Sequence, residues 1–194
     1  MKRNFGKYDV PPTLQILIDL EKELGESELF YEGLHFYLSL TDFRYFNTPS
    51  DVIVFGHIGA DGIHYGFLTD YGSVSELEEA PIVCVCPMDF EQPTRIIAKN
   101  LREFLRINCT DDALFYNDFT NEDSYLSFKA EQEVDNVLHP LSEIQSLNKV
   151  RIKSFLEENI QMPIIDNPYR YIQMIRLQRQ KMVSIKTQDG LGVI

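Results

Sequence analysis

The residues best suited to chemistry fall within one stretch of the chain. His57, Asp61 and His64 follow one another as His-x3-Asp-x2-His, and Cys84 and Cys86 stand two apart a little further on. Imidazoles and carboxylates are ordinary ligands of divalent metals, and a tight turn brings such neighbours together. The pattern stops short of a metal site. No third histidine is near in sequence, His35 and His139 being scattered, and Asp61 is needed by the turn itself. Cys84, Cys86 and Cys109 form no Cys-x-x-Cys or Cys/His box. The first two also lie in an apolar run where a thiolate is costly. Asp61 and Asp89 have the side chains of a glycosidase pair, but thirty Asp and Glu residues make chance pairings common. Gly56-x-x-Gly59-x-x-Gly62 lacks the Lys-Ser/Thr ending of a phosphate loop and precedes a strand pattern instead of a helix. No Gly-x-Ser-x-Gly elbow occurs. The sequence therefore assigns no catalytic residue, no metal ligand set and no cofactor.

The elements that position these residues are the clearest in the chain. Residues 52–55 (Val-Ile-Val-Phe) form a β-branched apolar run. Asp61-Gly62 is a hairpin turn signal, and Ile63, Tyr65 and Phe67 then alternate with His64, Gly66 and Leu68. Pro81 introduces Ile82-Val83-Cys84-Val85-Cys86, apolar on both faces, which predicts a strand inside a sheet covered on each side. Pro87 ends it. Three strands over 52–86 thus make the core of a sheet. Cys84 and Cys86 share one of its faces as small buried side chains.

Around this core the periodicity predicts helices. Pro11-Pro12 opens one whose stripe is Leu14, Leu17, Ile18 and Leu24, closed by Gly25. Alternation over 34–40 predicts a further strand, followed by the aromatic cluster Phe43, Tyr45 and Phe46, a cover for one sheet face. Residues 93–107 are expected to form a helix with Ile97, Leu101, Phe104 and Leu105 inward and Arg95, Lys99, Arg102 and Arg106 along the opposite face. That basic stripe reads either as a solvated face or as a docking surface for an acidic group. Thr110-Asp111-Asp112 resembles an N-cap opening a short helix, and 117–135 is acidic with no clear pattern. A helix over 142–160, with Ile144, Leu147, Phe155 and Leu156 inward, and a weaker one over 169–182 follow. A C-terminal hairpin turns at Asp189-Gly190.

At 194 residues the chain suffices for one domain. It is predicted to be α+β, with a mixed, mostly antiparallel sheet of about six strands flanked by helices. The core lies at about 10–107, with an added helical segment at about 108–182. No apolar run reaches the roughly 20 residues a membrane-spanning helix needs, and no signal peptide is evident, so a cytoplasmic location is expected. Residues 151–194 hold seven Lys and Arg against four Asp and Glu, whereas the first 150 hold eleven against twenty-six. An acidic body disfavours nucleic acid and membrane partners and favours basic proteins.

With the elements placed, the chain resembles the SUKH superfamily of fungal cell-wall-synthesis regulators and bacterial immunity proteins. The likeness rests on Thr48-Pro49-Ser50-Asp51 leading into 52–55, on Gly59-Ala60-Asp61-Gly62 with Ile63-His64-Tyr65-Gly66-Phe67, and on Ala80-Pro81-Ile82-Val83 running to Pro87. The segment 96–105 and the closing Thr187-Gln188-Asp189-Gly190-Leu191-Gly192-Val193 extend it, so that about half the chain is covered. The resemblance implies an α+β fold and a non-enzymatic protein-binding module, in bacteria often one that neutralises a toxin in the producing cell. An adaptor with a non-toxin partner, or less readily a metal-dependent hydrolase, is the alternative. For a binding module the contact positions expected near the turns are Asp61, His64, Tyr71, Asp89 and Phe90, because aromatic side chains anchor interfaces and acids match a basic partner.

Overall fold

The computed structural model describes residues 4–41 and 44–183, and the expected C-terminal hairpin lies outside them. Five strands form one antiparallel sheet in the order β1-β2-β3-β4-β5: Tyr37–Leu38, Val52–His57, His64–Leu68, Ile82–Val85 and Thr94–Ala98. The expected α+β fold with a mostly antiparallel sheet is present, with five strands among the described residues where about six were expected, all of them antiparallel. The three strands expected over 52–86 are present, with His57 opposite His64 and His64 opposite Val85.

Alternation along these strands sorts their side chains onto two buried faces. Phe55, Tyr65, Phe67, Ile82, Cys84 and Ile97 meet one side's helices, while Val52, Val54, Leu68, Val83, Val85 and Ile96 form a second cluster with Ile175. The larger cluster receives Leu14 and Leu17 from α1 (Pro12–Leu24), Phe30 from α2 (Ser27–Leu34), Phe104 from α3 (Leu101–Asp111) and Phe115 from α4 (Ala113–Tyr116). Phe36 meets Phe55 and Tyr65 edge-on at 6.3 and 5.9 Å between ring centres, while Phe104 stacks on Phe115 at 5.0 Å. Ile175 of α7 (Pro168–Arg179) covers the other face, so β4 is buried on both sides as its composition requires.

Two predicted elements fall differently. The segment expected to begin a helix at Pro93 forms β5, since Thr94, Ile96 and Ile97 are β-branched and the segment pairs with β4. The helix starts only where the Asn100 side chain accepts the Glu103 N–H at 3.0 Å. The four basic residues therefore share no helix face. Arg95 is buried on β5, the Lys99 ammonium lies over the Tyr171 ring, Arg102 pairs with Glu79 at 2.6 Å, and Arg106 donates to the Pro163 carbonyl at 2.8 Å. Over 34–40 the alternation straddles a junction. Leu34 ends α2, His35 turns the chain with φ +55°, and only Tyr37 and Leu38 pair. Thr110 lies in the last turn of α3 instead of capping a new helix.

The chain then adds α5 (Glu122–Leu138) and α6 (Glu143–Asn159), each begun by a reciprocal capping box, at Asn121/Ser124 and Ser142/Gln145. The helix expected over 142–160 is present, but Ile144 and Leu147 point to solvent while Ile152 and Leu156 are buried against α2.

Candidate protein-docking face

Three loops meet at one end of the sheet: residues 44–50, the β2–β3 turn (58–63) and the β4–β5 turn (86–93). Antiparallel pairing puts both hairpin tips at that end, and side chains fasten the third loop to them. The Asn47 amide donates to the Pro87 carbonyl at 2.9 Å. The Tyr45 N–H donates to the Thr48 hydroxyl at 2.9 Å, and that hydroxyl lies 3.0 Å from His64 Nε2. His64 Nδ1 lies 2.7 Å from the Gly62 carbonyl, which only accepts, so Nδ1 carries the proton and Nε2 accepts from Thr48. Burial, the largest influence, lowers the His64 pKa, and the ring is neutral at pH 7. Tyr45 lies against this ring, 5.9 Å between centres. Gly62, at φ +68°, admits it closely: a Cβ there would stand 2.4 Å from the Tyr45 ring.

The sequence-predicted positions divide accordingly. Asp61 (φ +51°) is exposed at the β2–β3 tip, and Phe90 is exposed at the β4–β5 tip. His64 is fully buried, which corrects its expected contact role; it locks the hairpin to the 44–50 loop. Asp89 is committed internally. One carboxylate oxygen accepts the Glu91 and Gln92 N–H groups at 3.1 and 3.0 Å, and the other pairs with the buried Arg95. Tyr71 is exposed, but it lies at the opposite end of the sheet, where its N–H donates to Asp51 at 3.3 Å. Phe46 and Met88 were not among the expected contacts, yet with Phe90 they are 63%, 69% and 72% exposed. Their signal was the aromatic cluster beside Thr48-Pro49 and the Pro87-Met88 turn. The face as built is apolar, with Asp61 and Glu91 exposed on its two hairpin tips.

Pairing of β2 with β3 sets His57 opposite His64, with Asp61 in the turn between them. No group of three or more His, Cys, Asp or Glu placed to hold a metal occurs among the described residues. His57 stacks on Tyr37 at 5.4 Å between ring centres. Cys84 and Cys86 are free thiols on one face, 3.8 Å apart. A separate cleft of about 230 Å3 is lined by Tyr31, His35, Ile58, Asp112 and Tyr116, with His35 Nδ1 3.1 Å from Asp112. Its lining holds no serine, threonine or cysteine nucleophile. The 77 positions separating His35 from Asp112 hide this pair from any reading of sequence spacing.

No helix among the described residues is long and apolar enough to cross a membrane. Comparison of the chain with protein-family models, with curated proteins and with solved structures returns no match.

Proposed function

We propose that the chain is a non-enzymatic protein-binding module that grips a basic partner through the hairpin-end face, as an immunity-type protein of the SUKH kind neutralising a toxin inside the producing cell. The observation that carries the reading is the set of exposed anchors, Phe46, Met88 and Phe90, on loops fixed by buried hydrogen bonds. Large apolar side chains held rigidly at the surface lose little freedom on binding, and such anchors dominate interface energies. The sequence resemblance supplies the immunity setting, and the α+β fold is the class that resemblance implies.

The test is capture of the partner from the native cell with the tagged full chain, followed by co-expression of partner and chain. Recovery of a basic toxin and protection of the cell are expected, with Phe90→Ala weakening capture at least tenfold, the loss of a hot-spot anchor. Recovery of a non-toxin partner by the same face selects the adaptor reading. Capture unchanged in both Phe90→Ala and Phe46→Ala would remove the hairpin-end face from the account.

A further inference from the structure

We propose that the corner formed by α5 and α6 is a second docking surface, and that its occupant is an amphipathic helix of another protein with lysine or arginine flanking its apolar stripe. The inference stands apart from the hairpin-end face and uses none of its residues.

α5 is seventeen residues long, yet Tyr125 is its only buried side chain. Beyond Tyr125, Leu126, Ala130, Val134, Val137 and Leu138 recur at the spacing that lines up one side of a helix. Leu126, Val134, Val137 and Leu138 are exposed, Val137 to 80%. Leu141, Ile144 and Leu147, which follow in sequence at the turn and the start of α6, are exposed as well. All of residues 133–144 are exposed, so no described part of the chain covers the corner. Scattered surface apolar residues are unremarked in most proteins, but a continuous helical stripe marks a binding surface. A shallow groove of about 420 Å3 runs along it, lined by Ala130, Glu131, Val134, Asp135 and Leu138. Capping boxes at Asn121 and Ser142 fix where the two helices start, and Tyr125 on α5 and Ile152 and Leu156 on α6 anchor them to the rest of the chain.

Charge selects the occupant. α5 carries five carboxylates, Glu122, Asp123, Glu131, Glu133 and Asp135, against the single cation Lys129. Lys129 is held by Asp111 at 3.3 Å and Glu122 by Arg170 at 3.0 Å. Asp135 has His139 Nδ1 at 3.0 Å, so the acids bordering the stripe without a partner among the described residues are Glu131 on one side and Glu133 on the other. A second copy laid α5 against α5 sets these acids against themselves, and an anionic lipid surface is repelled. A helix with an apolar stripe and basic flanks satisfies both features. From Leu126 to Leu138 the stripe spans about 18 Å, enough for a partner helix of three turns or more.

The probe is a synthetic 18-residue leucine/lysine peptide with helical amphipathicity, labelled and titrated with the full chain by fluorescence anisotropy. Its scrambled isomer, a leucine/glutamate analogue and phosphatidylglycerol vesicles are the comparisons. Binding of the first at least tenfold tighter than its scramble is expected, with no binding of the glutamate analogue. Val134→Glu is the decisive variant. It makes the surface more acidic, so charge attraction alone predicts tighter binding, whereas a helix seated on the stripe predicts at least tenfold weaker binding. Val134 is exposed, so the substitution spares the fold, which circular dichroism checks. Phe90→Ala is expected to leave the titration unchanged. Equal affinity for the scramble, no loss with Val134→Glu, or preferential vesicle binding would each overturn the proposal. So would a chain that sediments as a dimer and is made monomeric by Val134→Glu, since the occupant is then a second copy.

Discussion

Removing the Asp89 carboxylate should unfold the β4–β5 turn rather than merely strip a surface charge. Arg95 is 4% exposed at its side chain and Asp89 27% exposed. Asp89→Ala leaves the guanidinium in a low-dielectric site with the Tyr116 carbonyl at 3.3 Å and the exposed Asp118 carboxylate at 3.9 Å as its remaining oxygen partners. Breaking a buried pair from one side costs about 3–5 kcal/mol, and the partial exposure of Asp89 brings this down to about 2–3 kcal/mol. Two backbone N–H groups, of Glu91 and Gln92, also lose their acceptor at about 0.5–1.5 kcal/mol each. The total is about 3–6 kcal/mol. With a urea slope of about 2 kcal/mol per molar, the unfolding midpoint should fall by about 1.5–3 M. Asp89→Asn retains an acceptor for the turn and should lose about half as much. Asp89→Asn combined with Arg95→Met removes both charges and should be more stable than Asp89→Asn alone, a coupling that a double-mutant cycle measures. Urea curves for Asp89→Ala within 0.5 kcal/mol of the parent would refute this account and return Asp89 to the surface role its sequence position suggested.

Two further outcomes follow from the packing. Gly33→Ala places a Cβ 2.3 Å from Ile152 Cδ1 and should cost about 1–3 kcal/mol by thermal or urea unfolding; adding Ile152→Val removes that methyl and should recover part of the loss. His64 has its pKa lowered by burial, so the unfolded chain takes up the proton first. Its contribution to stability is whole above the unfolded value of about 6.5 and declines as pH falls from there through the folded pKa, and the difference in Tm between the parent and His64→Gln should narrow over that window.

The sheet core was legible because its signals agreed: Asp61-Gly62 demanded a turn, alternation set the faces of β3, and Pro81 and Pro87 bracketed β4. β5 was misread because Arg95, Lys99, Arg102 and Arg106 are spaced like a helix face, although Arg95 is buried on a strand and Arg102 and Arg106 alone are helical. The informative residues were Asn100 and Glu103, whose cap marks the true start. α5 went unseen within the acidic stretch because its charged residues blur the apolar stripe, of which Tyr125 alone is buried. Periodicity was correct for α6, but Ile144 and Leu147 belong to its solvent side, since spacing reveals a stripe without saying what lies against it. Of the candidate contacts, Asp61 and Phe90 stand on the hairpin-end face, whereas His64 and Asp89 are spent on holding it. A histidine two residues past a glycine turn carries no mark in the sequence to tell these two uses apart.

The same distinction changes what a net charge of −12 means for recognition. Many carboxylates already have partners: Glu78 accepts from Thr13, Asp111 from Tyr125 and Lys129, Asp89 holds Arg95, and Glu122 binds Asn167 and Arg170. A carboxylate beside its own cation projects little field beyond the Debye length of about 8 Å at physiological salt. Among the exposed acids are Asp61 and Glu91 on the hairpin tips and Asp123, Glu131 and Glu133 along α5. Each set lies beside exposed apolar side chains, Phe46, Met88 and Phe90 in one case and Val134, Val137 and Leu138 in the other. Charge of this kind selects and orients an approaching basic surface, while the apolar groups beside it supply the affinity. Salt should therefore slow encounter at both surfaces more than it hastens release.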